Sequence, residues 1–105
     1  MGPLVLHVRS TDVSAQIARG AIVALIFDED PATGFLWRHL TPAPSMLIAM
    51  EDTFVSADNG VGTTGKRTFR FECIEKGEAE LRFALARPWQ VDELIEVRTI
   101  RLNCG

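Results

Sequence analysis

Apolar residues recur at every second position along most of this 105-residue chain, and that period decides what it can fold into. Period two marks strands with one buried and one solvated face. No ten-residue stretch carries the 3.6-residue spacing of an amphipathic helix. Leu4, Leu6 and Val8 predict a first strand, and Ala21, Val23, Leu25 and Phe27 a second. The second is apolar on both faces and is expected at the centre of a sheet. Phe35 and Trp37 open a third strand, and Ser45 to Ala49 with Phe54-Val55 supply a fourth. Phe69, Phe71 and Cys73 alternate with Arg70 and Glu72. After the turn Glu75-Lys76-Gly77-Glu78, Leu81, Phe83 and Leu85 alternate with Glu80 and Arg82. These two runs are expected to pair as a hairpin. Residues 94–104 make a last strand, with a bulge where Ile95 and Val97 fall out of phase with Ile100 and Leu102. Short strands between turn signals predict an all-β sandwich or barrel, and the length predicts a single domain over residues 1–105.

Composition closes off several function classes. Hydrophobic residues make up 47% and charged residues 24%, a globular balance. Eleven basic against fourteen acidic residues give −3, which lacks the basic face that phosphate contacts need, so no nucleic-acid partner is expected. The longest apolar run, Ala21 to Phe27, is far short of the ~20 residues that span a bilayer, so no membrane partner is expected either. Met1-Gly2-Pro3-Leu4-Val5 has neither a basic nor an apolar leader pattern. The expectation is therefore cytoplasmic if Met1 is the native start, and periplasmic or secreted if a signal peptide was removed. Cys73 and Cys104 show no CxxC spacing and read as two small, reduced core residues.

Four patterns suggest chemistry that their context does not support. Gly60 to Lys66 fits GxxxxGK, but a phosphate loop needs Ser or Thr next and a helix beyond it. Here Arg67 and the strand Thr68-Phe69-Arg70-Phe71 follow. Asp28-Glu29-Asp30 lacks the six to eight converging oxygens of a calcium site and reads as a solvated acidic loop. His7 and His39 are isolated, which leaves no metal site. Cys73 shares the phase of Phe69 and Phe71, so it points inward rather than serving as a nucleophile. No catalytic residue, metal or cofactor is expected.

Three loops are more than connectors. In Asp30-Pro31-Ala32-Thr33-Gly34 the Asp side chain can cap the turn, Pro31 sets φ, and Gly34 can take positive φ. Residues 56–65 hold three glycines and no large side chain, so they would present backbone to a partner. Arg87-Pro88-Trp89 sets a guanidinium and an indole beside a rigid proline, and Trp and Arg are enriched in binding hot spots. Trp89 could equally be a core aromatic on composition alone.

In order and spacing, these loops resemble the chagasin family, inhibitors of papain-like cysteine peptidases. The family pattern is an NPTTG loop with aromatic-x-Trp, a GxGG loop, then Arg-Pro-Trp. This chain reads Asp30-Pro31-Ala32-Thr33-Gly34-Phe35-Leu36-Trp37, Gly62-Thr63-Thr64-Gly65 and Arg87-Pro88-Trp89. The resemblance implies an immunoglobulin-like antiparallel β-sandwich of about seven to eight strands. An antibody-type domain is excluded, since both cysteines follow Trp37 and the chain has no Tyr. The resemblance further implies that loops 30–34, 60–65 and 87–89 lie side by side and fill the peptidase cleft. Thr33 would approach the catalytic centre, residues 62–65 would run along the groove, and Arg87 and Trp89 would pack on its far side. Asp30 replaces an Asn and adds a charge, Ala32 replaces a Thr and lacks its hydroxyl, and Thr64 replaces a Gly. The partner implied is a papain-like cysteine peptidase, met by a chain that is a monomer when free. The alternative is an immunoglobulin-like adhesion or carbohydrate-binding module using the same end of the fold.

Overall fold

The computed structural model describes residues 4–10, 12–40, 44–56, 64–90 and 93–105. Eight strands form two four-stranded sheets packed face to face. They are β1 (Leu4–His7), β2 (Val13–Ile17), β3 (Ile22–Glu29), β4 (Leu36–His39), β5 (Leu47–Ser56), β6 (Gly65–Cys73), β7 (Gly77–Ala86) and β8 (Leu94–Cys104). One sheet has the order β1-β3-β6-β5 and the other β2-β8-β7-β4. Neighbours pair antiparallel except at two edges, where β1 joins β3 and β2 joins β8 in parallel. The only helical piece among the described residues is a 3₁₀ turn at Pro31–Thr33.

The core follows the alternation. Phe27, Phe69 and Phe71 of one sheet meet Phe83 of the other at centroid distances of 4.9, 4.8 and 6.4 Å. Leu25, Leu81, Ile100 and Leu102 fill the space beside them with no solvent exposure. Close packing of this kind contributes most of the favourable free energy of so small a domain. His39 belongs to this layer, its ring stacked on Phe83 at 4.7 Å, and burial pushes its pKa below the usual histidine value. The apolar run of β3 is central, as expected.

Four expectations change. The runs at 69–73 and 81–85 do not form a hairpin with each other. β6 pairs with β3 and β5, while β7 pairs with β8 and β4, so residues 74–76 carry the chain from one sheet to the other. A strand at 13–17, which its small residues conceal, adds to the edge of β8. Cys73 and Cys104 are buried as expected, but they are bonded rather than reduced. The sheet crossing sets Gly77 beside its ladder partner Cys104 and brings the two cysteine Cα atoms to 6.1 Å, within disulfide reach. Finally, Glu29 is not part of a solvated acidic loop but the last residue of β3, and it is 4% exposed.

The last strand has a bulge, but not at the phase change between Val97 and Ile100, where the ladder is unbroken and Val97 faces away from the side of Ile100. Ladder pairing passes from Leu85↔Glu96 to Ala86↔Leu94, leaving Ile95 as the extra residue. A second bulge interrupts β5 between Ala49 and Glu51. β5 is an edge strand, and a bulge with adjacent Glu51 and Asp52 discourages pairing with other chains.

Candidate functional site

Strand directions bring residues 30–34, Thr64-Gly65 and residues 87–89 to one end. β3, β5 and β7 run towards that end, and β4, β6 and β8 leave it. The disulfide lies at the opposite end, because Cys73 and Cys104 close strands that start beside the loops.

The first loop is stiffened by its own hydrogen bonds. The Asp30 carboxylate accepts from the Ala32 backbone N–H at 3.1 Å, the capping role expected of it. Thr33 N–H donates to the Asp30 carbonyl at 3.1 Å, and the Thr33 hydroxyl donates to the same oxygen at 2.7 Å. That hydroxyl also accepts from Phe35 N–H at 3.3 Å. Thr33 is exposed, yet its hydroxyl proton is committed to holding the turn. Gly34 has φ +84°, the left-handed conformation that glycine takes without strain. Ala32 is exposed beside it.

The third loop leans on the first. The Arg87 guanidinium lies 4.5 Å from the centroid of the Phe35 ring, and its Nη1 donates to Gln90 Oε1 at 3.2 Å. A Cβ built on Gly34 would sit 3.6 Å from Cη2 of Trp89 and 3.9 Å from Nε of Arg87. The Trp89 side chain is thus beside Gly34, not in the core, and the residue is 71% exposed. Pro88 is exposed next to it. The structure therefore brings Asp30, Ala32, Thr33, Gly34, Arg87, Pro88 and Trp89 together; Pro31 opens the 3₁₀ turn between them.

Of the second loop, Gly60, Val61, Gly62 and Thr63 lie outside the described residues. Thr64 is exposed, and Gly65 is buried at the start of β6. Only glycine fits at position 65, because a Cβ there would collide with the Val55 carbonyl and come within 2.5 Å of the Phe54 ring.

Beneath the loops lies a polar layer that alternation could have revealed. The inward phase of β3 runs Val23, Leu25, Phe27 and on to Glu29; in β6 it runs back from Phe69 to Arg67. Arg67 Nη2 reaches Glu29 Oε2 at 2.9 Å, Nε lies 3.1 and 3.2 Å from the two Glu29 oxygens, and Nη1 reaches Asp52 at 3.1 Å. Glu29 also accepts from the Trp37 backbone N–H at 2.6 Å, and the Trp37 indole N–H donates to the Asp28 carbonyl at 2.8 Å. One carboxylate thus ties the strand before the first loop to the strand after it and to the strand after the second. Asp28 faces out instead, paired with Lys66; that hydrogen bond holds its carboxyl below the usual carboxylate pKa.

A braced frame that presents pre-shaped loops, with its aromatic anchor left uncovered, is the architecture of a protein-binding module. The sequence matches the model of the chagasin family, "Chagasin family peptidase inhibitor I42", over residues 16–103, and the chain belongs to that family. It is an inhibitor of papain-like cysteine peptidases and not an enzyme. No protein with a curated description is matched in sequence.

Solved structures share the fold. The cysteine protease inhibitor EhICP2 from Entamoeba histolytica superposes with TM-score 0.80 at 14% identity, covering 99% of this chain and 96% of that one. Amebosin, solved in solution, gives 0.77 at 20% identity over 100% of each chain. PbICP-C, in a complex with falcipain-2, gives 0.76 at 11% identity, covering 97% of this chain and 99% of that one.

Proposed function

We propose that the protein inhibits its peptidase by filling the active-site cleft with three loops. Asp30, Pro31, Ala32, Thr33 and Gly34 enter over the catalytic centre. Gly62, Thr63, Thr64 and Gly65 lie along one wall of the groove, and Arg87, Pro88 and Trp89 lie along the other. Inhibition is steric and reversible, because the loops need only occupy the groove and exclude substrate.

One observation carries this reading: Trp89 is 71% exposed yet held against Gly34, with Arg87 laid over Phe35. Two loops distant in sequence behave as one preformed surface, so little ordering entropy remains to be lost on binding. The hydrogen bonds around Thr33 add to this. A structural neighbour solved in complex with falcipain-2 supports a peptidase as the partner.

The test is a set of progress curves for papain on a fluorogenic peptide at rising inhibitor concentration. Linear, competitive slowing that reverses on dilution is expected. Undiminished hydrolysis at micromolar protein would remove this reading.

A further inference from the structure

Beside the first loop the two sheets part to leave a cleft of about 640 Å³. Its walls are Thr33 and Phe35 of the first loop, Thr64 and Lys66 at the start of β6, Leu85 at the end of β7 and Ile95 of β8. We infer that this cleft is a fourth contact zone, receiving apolar side chains from the peptidase surface, with Ile95 as its outer wall. The inference rests on the three-loop reading and deepens it.

The occupant follows from the chemistry of the walls. Thr33 and Thr64 belong both to the proposed peptidase contact and to the cleft, so a peptidase seated on those loops roofs it. Roofed and unfilled, Phe35, Leu85 and Ile95 would face a void and lose their dispersion partners. A charged visitor finds the cleft's charges already engaged: Asp28 pairs with Lys66, Glu29 is held by Arg67, and the Asp30 carboxylate caps the turn at the Ala32 N–H. Apolar side chains satisfy both conditions. The volume falls within the ~300–1,000 Å³ of sites that hold a sizeable ligand, room for more than one side chain.

Ile95 is itself suited to the role. It is the extra residue of the β8 bulge, and bulges re-aim side chains beside functional sites. At 57% exposure it is a large apolar group left for a partner, and its neighbour Leu94 is 40% exposed. Its β-branch restricts χ1, so little rotamer freedom is lost on contact. Ile48 provides the control: it is 47% exposed but lies towards the opposite end, where β5 pairs Leu47 with Cys73.

The experiment measures inhibition constants and dissociation rates against papain for wild type, Ile95→Asp, Ile95→Ser and Ile48→Asp, with melting temperatures in parallel. Ile95→Asp should weaken inhibition by at least about tenfold, mainly through faster dissociation. Ile95→Ser should show a smaller loss in the same direction and remains readable if the Asp variant melts early. Ile48→Asp should stay within about twofold of wild type, the usual size for a remote surface change. Equal inhibition by wild type and both Ile95 variants, with Trp89→Ala still impaired, would overturn the inference and leave the three-loop reading standing. An Ile48→Asp loss as large as that of Ile95→Asp would overturn it too. A wild type that leaves papain untouched removes the parent reading, and this inference with it, before any variant is made.

Discussion

Glu29 and Trp89 lie at the same end of the sandwich and invert the usual arrangement in opposite senses. The carboxylate-bearing residue is 4% exposed and the indole-bearing one 71%. Charged residues are almost never fully buried unless paired, and large aromatics contribute most when covered. Glu29 meets the first condition within the chain, through Arg67 and the Trp37 backbone. Trp89 leaves the second unmet among the described residues, and in the proposed complex the peptidase would complete it. The base of this end is built for position and its tip for contact.

The base should respond with the largest effect. Glu29→Ala strips Arg67 of its buried partner and leaves the Trp37 N–H without an acceptor. Breaking a buried pair costs ~3–5 kcal/mol, and Asp52 remaining beside Arg67 places this case near the low end. At roughly 4–8 °C per kcal/mol for a domain of this size, the melting temperature should fall by about 12 °C or more. A fall under about 3 °C would mean that the pair is no more than a surface contact.

At the tip the effect moves from stability to affinity. Trp89→Ala removes an exposed anchor whose truncation should cost ~2–4 kcal/mol of binding, about 30- to 1,000-fold in the inhibition constant. Its melting temperature should stay within a few degrees of wild type, because the residue is 71% exposed and little of its indole is buried in the folded chain. A large melting shift with unchanged inhibition would reverse the contrast with Glu29.

Gly65→Ala probes the place where base and tip meet. Its Cβ would enter the space of the Val55 carbonyl and the Phe54 ring, and overpacking of this kind costs ~1–3 kcal/mol. Both melting temperature and inhibition should decline, since the same shift displaces the start of β6 and the second loop. An Ala variant as stable as wild type would free Gly65 of any packing constraint and leave backbone contact with the peptidase as its sole role.

Much of this end can be read along the chain, and the remainder depends on distant partners. Alternation locates the core phases but not the bulge, which falls at Ile95 rather than at the phase change between Val97 and Ile100. Spacing of the three loops identifies the family. The sheet assignment of β6 and β7 is hidden, because a short turn between two in-phase strands is compatible with a hairpin or a crossing. Only their pairing with β5 and β8 decides it. Glu29 is easily misread because its charge, beside Asp28 and Asp30, outweighs its phase; its burial depends on Arg67, 38 residues further on. The bond between Cys73 and Cys104, 31 residues apart, follows from the same sheet crossing. The sheet crossing and the disulfide are long-range pairings that local pattern does not encode, whereas the inward phase of Glu29 is legible in β3.

The smallest effect should come from the residue next to Glu29. Asp28 and Lys66 form a comparable ion pair one position earlier, directly across the β3–β6 ladder, but both side chains are largely solvated. Exposed pairs contribute ~0–1 kcal/mol and are screened by salt. Asp28→Asn should therefore shift the melting temperature by no more than a few degrees, and raised salt should shrink the difference further. The hydrogen bond from Lys66 lowers the Asp28 pKa in the folded state below the ordinary aspartate value of 3.8. Stability from a depressed carboxylate is present above the unfolded pKa and lost as pH falls through the folded one. The gap between wild type and Asp28→Asn should accordingly hold at neutral pH and close below pH 3.8. An Asp28→Asn penalty matching that of Glu29→Ala would show that proximity to the loops, rather than burial, sets what a charge at this end contributes.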